Sequence, residues 1–180
     1  MKKNKKKILI SSIAFVFLVI CVLVFTDFSS KDDKIKYLLN DGRLAPLPES
    51  AKNVQIHGWS GLFTGCKYLK FESDKHEIDR FISKSPSLQG VSPAIFNGEH
   101  MLLPYKKDSE GKNKNLEIDL SEDYYKHEYF MKPSSMPDWY SPTIKKQGRR
   151  FRIPAKNSHN WGEVIINDEN NTVFIQITWS

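Results

Sequence analysis

The chain has 180 residues, with 27 Lys plus Arg against 21 Asp plus Glu, a formal net charge of +6 and two cysteines. Five of the basic residues (Lys2, Lys3, Lys5, Lys6 and Lys7) precede Asp27 and none of the acidic ones does, so the remainder nets about +1. A nearly neutral remainder excludes general nucleic-acid binding, which needs a basic face to neutralise phosphates. It carries one cysteine, Cys66, which excludes an internal disulfide framework.

The lysines open residues 1–7, read as a short basic tail on the cytoplasmic side. An apolar run follows from Ile8 to Phe25, interrupted by Ser11, Ser12 and Cys21. Those roughly 18 residues span about 27 Å as a helix, close to the hydrocarbon thickness of a bilayer. Secretory signal cores are shorter and end in small residues at a cleavage site, a pattern absent between Val22 and Ser30. A lipoprotein signal needs a small residue before its cysteine, and Ile20 stands there. The run therefore reads as an uncleaved single-pass transmembrane helix over 8–25, with Cys21 inside it. The positive-inside rule leaves the N-terminus in the cytoplasm and the rest of the chain outside.

Residues 26–43 read as a juxtamembrane linker with a short helix, because Ile35, Leu38 and Leu39 recur at helical spacing before Gly42. Residues 44–180 read as one extracytoplasmic domain. Pro46 and Pro48 in "LAPLPES" predict an extended exit. "NVQIHGW" and "CKYLKFES" alternate as strands around a glycine-punctuated loop. Asp74 and Glu77 resemble a capping box ahead of Ile78, Phe81 and Ile82, which predicts a helix ended by Ser85-Pro86. "HMLLPY" is a short apolar piece, "LEIDL" alternates as a strand, and "SEDYYKHEYF" suits a short helix capped by Ser121. "RRFRI" predicts a strand, and "EVIINDENNTVFIQITW" a hairpin with Val173, Ile175, Ile177 and Trp179 on one face. The expected class is α+β: a mostly antiparallel sheet of about five strands with one or two packed helices.

Chemistry-bearing residues form no familiar constellation. "GWSG" lacks the final glycine of a nucleophile elbow, since Leu62 occupies that position, and the loop joins two strands rather than a strand and a helix. Cys66 begins a strand, away from the helix N-terminus that would activate a thiolate. The five histidines, His57, His76, His100, His127 and His159, lack ligand spacing. Asp168, Asn170 and Thr172 in "NDENNT" read as a hairpin turn rather than a calcium loop. No catalytic, cofactor-binding or metal-ligating set is expected. The stretch of most interest for binding is "PDWYSPTIKKQGRRFR", where Trp139 and Tyr140 precede Arg149, Arg150 and Arg152. Aromatic residues beside cations suit an anionic envelope component; the same residues also suit a core plug beside a charged strand edge.

"LPESAKNV", "YLKFESDKHEIDRFI", "PDWYSP" and "VIINDENNTVFI" resemble, in that order, blocks of a loose family of small bacterial proteins. Its members pair an N-terminal signal or anchor with a single α+β domain. The resemblance implies a fold and a place at the bacterial cytoplasmic membrane, and no activity. The expected function is that of a membrane-anchored extracytoplasmic binding protein, of envelope-accessory or inhibitor and immunity type, partnered by an envelope protein or anionic envelope component. The alternative is an envelope hydrolase with a site assembled from distant residues, which a pocket joining Cys66 or Ser60 to a histidine would favour.

Overall fold

The computed structural model describes residues 30–61, 63–104, 127–130, 135–155 and 159–180. The chain divides into compact units at Met1–Asp33 and Lys34–Ser180. The apolar run Ile8–Phe25 lies outside the described residues, and among those described no helix is long and apolar enough to cross a membrane.

The first helix, α1, covers Lys31–Asp41. Ser30 and Asp33 start it with a reciprocal cap: the Asp33 N–H donates to Ser30 Oγ at 3.1 Å, and the Ser30 N–H and hydroxyl both reach Asp33 Oδ2. Strands β1 (Lys52–Ser60) and β2 (Gly65–Glu72) follow, then α2 (Lys75–Lys84) and a 3-10 turn at Pro86–Leu88. The remaining strands are β3 (Ala94–Phe96), β4 (Met101–Pro104), β5 (His127–Phe130), β6 (Gly148–Ile153), β7 (Asn160–Asn167) and β8 (Thr172–Trp179).

Six of these strands form one antiparallel sheet in the order β1-β2-β8-β7-β6-β3. The α+β class holds, with six strands in the main sheet and a separate parallel pair, β4 and β5. "HEYF" is a strand, where the sequence suggested a helix through residue 130: pairing with β4 overrides the local helical signal. "LEIDL" and Ser121 lie outside the described residues.

The register sorts side chains between two faces, because directly opposed residues share a face. One face carries the row Ile56, Leu69, Ile175, Val164 and Phe151 and the row Phe71, Val173 and Ile166. Against it pack Ile35, Leu38 and Leu39 of α1 and Ile78 and Phe81 of α2, forming the larger core. Helix α1 is thus part of that core. The opposite face carries Cys66, Tyr68, Phe174 and Ile165, and there Leu102, Met136, Tyr140 and Ile144 form a second core. β2 and β8 are covered on both sides, so each large apolar residue in them contributes about 1.5–3 kcal/mol by burial.

Candidate functional site

The aromatic and basic residues singled out between Trp139 and Arg152 fall in three different places. Tyr140 is fully buried in the second core, with its ring 5.0 Å from Tyr68 and edge-on to Phe174 at 5.6 Å. Trp139 is half-buried and packs edge-on against Tyr140. Arg149 lies on the α2 face, gripping Asp168 through Nε (3.0 Å) and Nη2 (2.7 Å) and Asp79 of α2 through Nη1 (2.7 Å). Arg150 points to the opposite face and meets Glu163 Oε2 at 2.8 Å through Nε and Nη2. Arg152 shares that face and is exposed. Two of the three guanidinium groups are committed to clamps within the fold. Arg149 joins the β7–β8 turn to α2, and Arg150 joins β6 to β7.

The nucleophile candidates are also separated. Cys66 and Ser60 face opposite sides of the sheet, since Cys66 opposes Trp59 and Ser60 opposes Gly65. The Cys66 thiol is buried against Thr178 Oγ1 at 3.4 Å, and burial pushes its pKa above the ordinary value. That holds it as the neutral thiol, the opposite of an activated thiolate. Ser60 Oγ contacts the carbonyl of Gly61 at 3.5 Å. Among the described residues, no hydrogen bond joins either to a histidine, and no group of three His, Cys, Asp or Glu residues is arranged to hold a metal ion. The "DENN" turn is internally committed: Asp168 is held by Arg149, and Glu169 accepts the N–H groups of Lys146 (2.7 Å) and Gln147 (3.4 Å). Those bonds keep the Glu169 carboxyl below its usual pKa.

A concave surface of a different kind lies beside α2. The stretch Ala45–Ser50 runs opposite Glu77, Arg80, Phe81 and Lys84, which share one helix face by their i, i+3, i+4, i+7 spacing. Between them is an open groove of about 430 Å³. Pro46 and Pro48 keep the stretch extended, and two serines pin its ends. Ser85 Oγ accepts the Ala45 N–H at 3.0 Å while donating to the Phe81 carbonyl at 2.7 Å, and Ser50 Oγ meets Ser73 Oγ at 2.6 Å. The stretch is thereby held off α2 rather than collapsed onto it. Buried Ala45 and Phe81 and partly buried Leu47 contribute the apolar surface. Glu49, Glu77, Arg80 and Lys84 supply both signs of charge, with Glu77 and Arg80 paired at 3.5 Å.

Sequence reasoning found the extended proline stretch and the helix separately but not the groove they make. Its local signal is the "SKSP" boundary, where Ser85 serves both walls. Asp74 does precede α2 as its N-cap, but its side chain makes no cap hydrogen bond. Ser85→Ala leaves the buried Ala45 N–H without its acceptor and is expected to cost about 1–3 kcal/mol, read as a lower urea midpoint. Retention of the wild-type midpoint would refute the pin.

No family model, no curated protein and no solved structure matches this chain. The functional reading therefore rests on the groove and on the chemistry of the residues around it.

Proposed function

We propose that the chain is a single-pass protein of the bacterial cytoplasmic membrane. Residues 8–25 cross the bilayer, Lys2–Lys7 stay inside, and the α+β domain acts outside as a binding module without catalysis. It serves as an envelope accessory or an inhibitor of another envelope protein. The observation that supports binding is the serine-pinned groove, whose apolar surface and mixed charges suit an extended stretch of a partner chain. The envelope-hydrolase alternative finds less support, because the Cys66 thiol is buried and held protonated.

Affinity purification of the tagged full chain from its native membranes after mild crosslinking tests this reading. Wild type is expected to recover one stoichiometric partner, and Arg80→Glu with Lys84→Glu to lose at least tenfold of it. Equal recovery by the charge-reversed variant would remove the groove from the account. Intact mass tests the anchor separately: a chain retaining residues 1–29 agrees with it, and a chain beginning at an acylated Cys21 contradicts it.

A further inference from the structure

Among the described residues the main sheet ends in two edge strands, β3 and β1. An edge presents unpaired backbone groups, and proteins blunt it with short strands, bulges, prolines or charges. β3 is blunted by its length of three residues. β1 is guarded at its start alone. There Lys52 is charged, Asn53 has a φ of 52°, and the register with β2 shifts between Lys52 and Gln55. From Gln55 to Ser60 the ladder is regular, and the stretch is exposed apart from half-buried Ile56. Between Asn53 and Cys66 the sequence has no Asp, Glu, Lys, Arg or Pro.

The β1–β2 turn fixes which backbone groups are open. The Gly61 N–H donates to the Thr64 carbonyl at 2.7 Å, which makes these two a hydrogen-bonded pair. Such pairs alternate with non-bonded ones along an antiparallel ladder. Trp59, His57 and Gln55 therefore bond to β2, whereas Ile56, Gly58 and Ser60 turn their N–H and C=O groups to the open edge. These three positions are symmetric about Gly58. A second copy of β1, reversed by a two-fold axis at Gly58, sets Gly58 against Gly58 and Ile56 against Ser60. Each opposed pair makes two backbone hydrogen bonds, and no like charges meet. Trp59 (49% exposed) of each copy then lies opposite exposed His57 of the other, in the closer, non-hydrogen-bonded pairs.

We infer that the domain pairs with a second copy of itself through β1, joining two six-stranded sheets edge to edge. A two-fold contact requires a self-complementary patch, and this edge supplies one in its open positions, its lack of charge and its Trp59–His57 pairing. The inference is independent of the groove and of the anchor.

The test uses the full chain in detergent with Cys21→Ala, which leaves buried Cys66 as the native thiol. Across the axis the two Cα atoms at position 58 stand about 5.5 Å apart, within disulfide range. A Cβ there meets no neighbour closer than Lys67 Cγ, at 3.2 Å on a flexible side chain. Mild oxidation of Gly58→Cys is expected to shift most of the chain from 20.9 kDa to twice that mass, reversibly with reductant. Ile56→Cys and Ser60→Cys, each alone, hold their thiols about 14 Å apart and are expected to give less than about a tenth of that yield. Mixed, they are expected to recover about half of it, the share of mixed pairs. Sedimentation of the unsubstituted chain reads the dimer without added thiols. A monomer there, failure of both Gly58→Cys and the mixture to crosslink, or equal yields from positions 56, 58 and 60 overturns the inference.

Discussion

Raising the pH from 9 to 11 is expected to unfold this domain progressively, through three buried acids on one face of the sheet. Cys66, Tyr68 and Tyr140 all have pKa values pushed up by burial, from ordinary values of 9.0 for the thiol and 10.0 for the phenols. Neighbouring acids and anions (Glu163 for Cys66, Cys66 for Tyr68, both for Tyr140) add to the rise. In the unfolded chain these groups lose their protons near the ordinary values, whereas in the folded chain they keep them. Between the two values the unfolded state binds fewer protons, so stability falls as pH rises. Their contribution is intact below pH 9 and declines above it. Each tyrosine removes up to about 1.4 kcal/mol per pH unit within its window, so the two together approach roughly 2–3 kcal/mol per unit above pH 10, with Cys66 adding to the decline nearer pH 9. Against a total stability of about 5–15 kcal/mol, that is decisive. Urea midpoints at pH 7.5, 9 and 10.5 measure it, and Tyr140→Phe is expected to flatten the decline. At neutral pH the same variant should stay within about 1 kcal/mol of wild type, because the Tyr140 hydroxyl has no hydrogen-bond partner among the described residues. A midpoint constant to pH 10.5 would show that these groups ionise in place.

Gly162→Ala is expected to cost about 3 kcal/mol, or to prevent folding, although it adds one methyl group. A Cβ at this position would collide with the carbonyl oxygen of Gln176 and meet Ile177 Cδ1 at 3.0 Å. The obstacle is backbone of the neighbouring strand, so no rotamer change relieves it, and β7 and β8 lie inside the sheet. Gly90→Ala makes the comparison. Gly90 has a φ of 73° with nothing within 4 Å of a Cβ, so its cost is the left-handed conformation alone, about 1–2 kcal/mol. Equal losses in the two variants would show that the close approach of β7 and β8 is not what requires Gly162.

These effects depend on neighbours distant in sequence, which also marks the limit of what the sequence discloses. The C-terminal hairpin was legible because strict alternation put Val173, Ile175, Ile177 and Trp179 on one face, and the register keeps them there. Both helices were legible from apolar spacing. β3 escaped notice because it is a three-residue strand with Ile95 exposed. β5 escaped because its partner, β4, lies more than 20 residues earlier and parallel pairing leaves no local signature. The stretch around Arg149 stayed open between a surface for anions and a core plug beside a charged strand edge, because sequence shows cations without their partners: Asp79, Asp168 and Glu163. The groove was hidden for the same reason, since Ser85 acts on Ala45 across 40 residues.

The account's central claim is that the groove between Ala45–Ser50 and α2 receives a partner chain outside the cytoplasm. A photoreactive amino acid at Arg80, on the groove, and another at Asn170, on the exposed β7–β8 turn, test it most directly in the native membrane. The account predicts one discrete crosslinked protein from position 80, absent from position 170 and exposed to protease added outside the cytoplasmic membrane. Identical adducts from both positions, or an adduct protected as a cytoplasmic protein, would contradict it.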